Sequence, residues 1–233
     1  SDALIAPSIE ANMDEGHARS ILRALFDEGV ASVHPSRCMR ALQLTQPKGR
    51  TVVVGAGKAA PAMAAEHEQK WDGALTGLVV TRRGYGVPCR QIEIVETDHP
   101  IPGPEAPEAA QRCLDLVSGL TKDDLVIALI SGGGSALWAL PAPGVTLDDK
   151  RELTRALLKS GAAIHEINTV RKHISAIKGG RLSMAAKPAR TLTLAISDIA
   201  GYLGYGSGMI ASGPTCWDDT TLDDAREVLA RYR

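Results

Sequence analysis

Two glycine-rich stretches, a run of cations and one acid following an apolar segment are the parts of this 233-residue chain suited to chemistry. Gly55-Ala56-Gly57-Lys58-Ala59-Ala60 follows the β-branched run Thr51-Val52-Val53-Val54 and fits the GxGxxA form of a dinucleotide-binding turn. Glycines at such a turn let backbone N–H groups approach an anion, and Lys58 adds a mobile cation. It is not a Walker loop, because the spacing is too short and Ala59 stands where a hydroxyl residue would follow the lysine. The next predicted strand ends in Thr81-Arg82-Arg83 rather than in the acid that holds a ribose. That either disfavours NAD or points to the 2′-phosphate of NADP. A turn that merely packs helix on strand would carry the same residues.

Ser131-Gly132-Gly133-Gly134-Ser135 is the more informative loop. Three adjacent glycines lose much conformational entropy on folding, so their presence implies a steric demand, and bare backbone there can wrap a phosphate. Downstream, a helix predicted from His165 to Ile177 places Asn168, Arg171, Ser175 and Lys178 on one arc of a ~100° wheel, beside the apolar arc of Ile167, Val170, Ile174 and Ile177. Arg181 follows just after Gly179-Gly180, which reads as the cap of that helix. An Arg fork and a compact Lys charge suit an anionic substrate and a transferring phosphoryl group, although a solvated basic face has the same pattern. Asp198 follows the predicted strand Thr191 to Ile196, where a metal ligand, a general base or a turn-capping Asp would stand. Ser212-Gly213-Pro214-Thr215 is a further small-residue loop able to line a ligand, and His99 contacts substrate or shapes its Pro-rich turn.

The elements that must position these residues alternate. Strands are predicted at Thr51 to Val54, Leu75 to Thr81, Ile92 to Glu96, Leu125 to Ile130 and Thr191 to Ile196. Helices are predicted between them, one opening at the cap Thr146, and a last one spans Leu222 to Arg231. Leu125 to Ile130 is apolar throughout, as in a strand buried on both faces. The pattern indicates an α/β fold, a three-layer α/β/α Rossmann-like sandwich with a mostly parallel sheet, whose ligands bind beyond the carboxyl ends of the strands. The stretch from Gly16 to Ala41 reads as helical and as a packing element.

Composition narrows the function. Lys+Arg total 26 against 27 Asp+Glu, and the aromatics are three Trp, four Tyr and one Phe. Near-neutral charge and few rings argue against nucleic acid. The four cysteines show no metal-ligand spacing and read as reduced thiols of a cytoplasmic protein. No apolar run approaches the ~18 residues of a membrane span, and the first residues lack the order of a signal peptide.

Taken together the motifs resemble the glycerate 2-kinases. The resemblance rests on Val53 to Ala60, Gly84-Tyr85-Gly86-Val87-Pro88, Asp98-His99-Pro100-Ile101-Pro102, Leu129 to Leu137, His165 to Arg171, Lys178-Gly179-Gly180-Arg181-Leu182 and Ile210 to Thr215, and it covers nearly the whole chain. It implies ATP-dependent phosphorylation of D-glycerate on its 2-hydroxyl, with Mg²⁺ accompanying the nucleotide. It also implies Lys58, Arg171 and Asp198 as catalytic groups, with Asp198 holding metal or taking the hydroxyl proton. Gly55, Gly57, Ser131 to Ser135, Asn168, Lys178, Arg181, Ser212, Gly213 and Thr215 would bind the nucleotide. Family members carry an acidic Gly-Asp-Asp stretch after Ser-Asp, where this chain reads Gly201-Tyr202-Leu203-Gly204. They also carry a C-terminal MOFRL domain. The 233 residues are therefore expected to be a single N-terminal domain of that type without the MOFRL domain, its N-terminal helical segment packed on it. The partner is a small hydroxy acid, and a homo-oligomer is left open. The alternatives are an NADPH-dependent hydroxypyruvate reductase and a non-catalytic domain that binds an anionic metabolite.

Overall fold

The computed structural model describes residues 14–197 and 207–232, so Asp198 and the segment 201–206 lie outside the described residues. The chain divides into two compact units after Ala41. In the first, α1 (Glu15–Val33) is opened by Asp14, whose carboxylate accepts from the Gly16 and His17 N–H groups, and α2 (Pro35–Cys38) follows. The stretch read as helical from Gly16 to Ala41 holds two helices. Pro35 has no N–H to extend the ladder, and it holds His34 extended. No residue of α1 is buried.

The second unit runs β1 (Thr51–Ala56), α3 (Ala60–Lys70), β2 (Thr76–Arg82), β3 (Ile92–Thr97), α4 (Ala106–Val117), β4 (Leu125–Ser131), α5 (Gly134–Leu137), α6 (Leu147–Lys159), α7 (Ile164–His173), α8 (Arg181–Ala185), β5 (Arg190–Ile196), a 3-10 turn (Ser207–Ser212) and α9 (Leu222–Arg231). All strand pairs are parallel, in the order β3-β2-β1-β4-β5. The two strands with unbroken apolar runs, β1 and β4, are buried along their whole length at the centre. Alternation along them divides the core. Val52, Val54, Val126, Ala128 and Ile130 join Ala109, Ala110, Cys113 and Val117 of α4 and Leu182 of α8 in one cluster. On the other face α3 packs on β1, β2 and β4. This is the α/β sandwich read from the alternation of segments.

A smaller cluster stands apart from the sheet. Leu157 of α6, Ile167 and Val170 of α7, and Ala225 and Val228 of α9 form it. The helices α6 and α9 each begin with a reciprocal cap, Thr146 with Asp149 and Thr221 with Asp224, each cap worth about 1 kcal/mol.

Helix α7 is shorter than its apolar periodicity predicts. It stops at His173, because the next residues pair with the loop after α5: Ala142 N–H donates to Ile174 O, Ala176 N–H donates to Leu140 O, and Pro141 bridges Ser175. Ser175 and Lys178 are therefore not on the helix. Gly179 and Gly180, at φ 58° and 77°, do not cap α7; Gly180 opens α8 instead. Among the described residues no helix is long and apolar enough to cross a membrane.

Candidate functional site

Because the strand order runs outward from β1 in both directions, the crevice of an open parallel sheet falls at the carboxyl ends of β1 and β4. The register pairs Gly55 with Leu129 and Ala56 with Ile130, which brings Gly57 beside Ser131. The contact is close enough to require glycine: a methyl group on Gly57 (φ 143°) would stand 2.1 Å from Ser131 Oγ and 2.6 Å from Ser131 O. One on Gly55 would stand 2.6 Å from Leu129 O. The N–H groups of this first turn are already engaged. Gly57 donates to Val80 O at 3.1 Å, Lys58 to Gly132 O at 2.8 Å and Ala59 to Ser131 Oγ at 3.0 Å. The turn is thereby fastened to β2 and to the second glycine loop.

That second loop faces a cavity of about 380 Å³, to which Gly133 and Ser135 contribute. Gly133 takes a left-handed φ of 92°, and the N–H groups of Gly133, Gly134 and Ser135 find no acceptor among the described residues. Ser135 Oγ stands 2.7 Å from Ser212 Oγ, which in turn donates to Asn168 Oδ1 at 3.3 Å. Ala211 and Ser212 hold φ of 53° and 59°, strained values for residues with a side chain, and Ala211 closes on Gly134 so tightly that a methyl there would stand 2.8 Å away.

The opposite wall is cationic. Lys150, Arg151 and Arg155 of α6, Arg171 of α7 and Lys178 line the cavity, with no carboxylate among the described lining residues. Lys178 is 2% exposed and donates through Nζ to Ser135 O (2.9 Å) and Trp138 O (2.7 Å). Lys150 is 7% exposed and donates to Ile174 O at 2.9 Å. Burial disfavours the charged form of each. It lowers Lys150 to about 8, helped by Arg171 and Arg181, and lowers Lys178 well below the usual lysine value, helped by Lys150 and Arg171. Burial lowers Arg171 as well. A cluster of cations that destabilise one another is a receptor for an anion, since a bound negative charge relieves both the repulsion and the desolvation.

A family model described as a domain of unknown function, DUF4147, matches residues 21–233. The chain belongs to the DUF4147 family. It is 52% identical over 216 residues to an Agrobacterium vitis protein with a hydroxypyruvate reductase name, covering 92% of this chain and 49% of that one. It is 43% identical over 213 residues to D-glycerate 2-kinase of Thermotoga maritima, covering 89% of this chain and 50% of the relative. The crystal structure of glycerate kinase from Thermotoga maritima superimposes with a TM-score of 0.81 at 40% identity, over 88% of this chain and 50% of that one. The chain thus spans about half the length of the curated relatives it matches.

Within this DUF4147 domain the residues singled out from sequence separate into three groups. Gly133, Ser135, Arg171 and Lys178 line the cavity, and Lys58 reaches its edge, since a methyl on Gly133 would lie 3.5 Å from Lys58 Cγ. Asn168, Ser131 and Ser212 are buried behind it. Arg181 and Thr215 line a second cavity of about 540 Å³, together with Asp218 and the exposed Trp217. Arg181 is held there by donating to Lys172 O and Lys178 O, both at 2.9 Å. The sequence reading missed the α6 cations, although Lys150, Arg151, Thr154, Arg155 and Leu158 recur at helical spacing on one face and a wheel of that segment would have shown it. The described residues hold no group of three or more His, Cys, Asp or Glu suited to a metal. The described part of this cavity therefore fits carboxylate and phosphate and does not fit a divalent cation.

Proposed function

We propose that this domain belongs to an enzyme that transfers the terminal phosphoryl group of ATP to the 2-hydroxyl of D-glycerate, giving 2-phosphoglycerate. The observation that carries the reading is the cavity itself: among the described residues, five cationic side chains and no carboxylate line about 380 Å³, and the glycine-loop N–H groups on its rim meet no described acceptor. Phosphoryl transfer needs positioning and charge neutralisation above all. Arg171 and Lys150 hold the carboxylate of the hydroxy acid. Lys58 and the Gly132 to Gly134 backbone meet the transferred phosphoryl group. Lys178 braces Ser135 and Trp138 and adds its charge from behind. Mg²⁺ accompanies the nucleotide in this reading, with Asp198 as its ligand; the described lining offers such an ion no carboxylate, and the steps assigned here rest on the cations and the loop. A protein of the cytoplasm fits the same reading.

The reductase alternative has a specific observation against it. A dinucleotide fingerprint grips pyrophosphate with the N–H groups of the turn, and here those of Gly57, Lys58 and Ala59 already donate to protein acceptors. A coupled assay for 2-phosphoglycerate, with ATP and D-glycerate supplied to this chain and to a chain of the relatives' full length, tests the proposal. Product from either supports it. Oxidation of NADPH by hydroxypyruvate with no phosphorylated product would overturn it in favour of the reductase, and binding of D-glycerate without any turnover in favour of a non-catalytic binding domain.

A further inference from the structure

The cationic cavity explains how an acid and a phosphoryl group are held, but a hydroxyl must also lose its proton. Arg side chains do not accept one at ordinary pH. Lys150 and Lys178 direct their amines at backbone carbonyls, and Ser135 Oγ is engaged with Ser212. Among the described lining residues one other titratable side chain remains: His99. It stands in the loop after β3, at the carboxyl edge of the sheet, and Gly133 is bare toward it, so that a methyl there would lie 3.0 Å from His99 Nε2. Among the described residues nothing hydrogen-bonds to either ring nitrogen. The loop itself is anchored. Arg83 donates to Asp98 and to Glu105, each at 2.8 Å, and Arg151 Nε donates to Pro102 O at 3.0 Å.

We propose that His99 is a catalytic residue, the group that takes the proton of the hydroxyl being phosphorylated. This rests on the kinase reading. The hydroxyl proton passes to His99 Nε2. The oxygen forms a bond to the terminal phosphorus of the nucleoside triphosphate, the bond from that phosphorus to the bridging oxygen breaks, and the nucleoside diphosphate leaves with the electron pair. The imidazolium then returns its proton to solvent. The surroundings keep the ring neutral beforehand: partial burial, and then Lys58 and Arg82, lower its pKa. The other charges that share the cavity, Lys150, Arg151, Arg155, Arg171 and Lys178, are all cations and act in the same direction, while the neighbouring Asp98 is paired with Arg83.

The test uses His99→Gln and His99→Asn, first confirmed to keep the parental Tm, in the coupled assay with whichever chain is active. General-base catalysis is typically worth 10²–10⁴-fold, so kcat is expected to fall by about that factor while KM for D-glycerate changes less than about threefold. The acidic limb of the parental kcat/KM profile, centred below the usual histidine value, disappears in the variants. A variant with parental kcat overturns the inference and leaves the kinase reading intact. The ring nitrogens are followed separately by ¹⁵N NMR, with the His99 signals assigned by their loss in His99→Gln. Saturation with D-glycerate is expected to shift the Nε2 signal and raise the pKa of the ring. No shift overturns the inference whether or not the parent turns over, and a shift in a protein that makes no 2-phosphoglycerate supports the contact while the kinase reading falls.

Discussion

The turns after β1 and after β4 look alike on paper: each follows a buried strand, each is built on glycine, and each precedes a helix. In space they do different work. The first has its glycines against protein atoms and its N–H groups engaged by Val80, Gly132 and Ser131. The second leaves three consecutive N–H groups without acceptors among the described residues and carries Gly133 to the cavity wall. Glycine can be required because another backbone must come close or because a ligand must, and only the neighbours distinguish the two. Here the first turn is the support of the second.

The sharpest way to break this comparison is to add one methyl group to each turn. Gly57→Ala meets Ser131 O at 2.6 Å, and that carbonyl cannot move without shifting β4. Overpacking of this kind combined with a left-handed φ is expected to cost about 3 kcal/mol or more, enough to leave the variant largely insoluble or with a strongly lowered Tm. The nearest atoms to the methyl of Gly133→Ala belong to the side chains of His99 and Lys58, at 3.0 Å or more, which can yield. Its backbone penalty is about 1–2 kcal/mol. The variant is expected to fold, by circular dichroism and thermal melting, and to lose binding and turnover of D-glycerate. Equal stability of the two variants would show that the turns do not differ in the way their contacts indicate.

What was readable in advance follows the same division between local and long-range causes. The apolar run Leu125 to Ile130 marks a central strand because burial on both faces is written in its own residues, and Thr146 with Asp149 marks a helix start because the cap is local. The end of α7 was not readable. The apolar arc continues to Ile177, and only the pairing of Pro141 with Ser175 interrupts it. Arg171 and Lys178 do share one cavity, but a wheel that treats Ser175 and Lys178 as helical reaches that result for the wrong reason. Arg181, three positions from Lys178 in the chain, is carried to the other cavity by two left-handed glycines. The α6 cations were overlooked since Leu147 to Lys159 has the composition of a solvated helix, and the carbonyls that hold the Lys150 amine, those of Leu140 and Ile174, lie outside that segment.

Lys150 also gives the comparison a dependence on pH. Its pKa in the free protein is lowered to about 8, chiefly by burial. An anion in the cavity favours the ammonium form, so the bound state has the higher pKa and binding above about pH 8 takes up a proton. The contribution of Lys150 to D-glycerate affinity is accordingly expected to be level below that pH and to fall about tenfold per unit as pH rises beyond it, until the pKa of the bound state is reached. Isothermal titration calorimetry in buffers of different ionisation enthalpy measures both the affinity and the proton uptake. Lys150→Met should abolish the uptake at this site, and a parental protein whose affinity is flat from pH 7 to about 10 would remove Lys150 from the anion site.

The smallest effect is expected where the sequence placed a ligand contact and the structure places a second cavity. Thr215 Oγ1 accepts from Thr193 Oγ1 at 2.8 Å and lines the space beside Trp217 and Asp218, away from the cationic wall. Thr215→Val keeps the shape and removes one hydrogen bond, a loss of about 1 kcal/mol in stability. Its affinity for D-glycerate should stay within about twofold of the parent, because a neutral change in a separate cavity has no strong electrostatic path to the acid. The informative measurement is KM for ATP in the same variant. An increase of several-fold at unchanged D-glycerate affinity would assign the second cavity to the nucleotide and would divide the two substrates between the two sides of the Lys178 to Arg181 turn. No change in either constant would leave the second cavity outside the reaction and would concentrate both substrates on the glycine loop after β4.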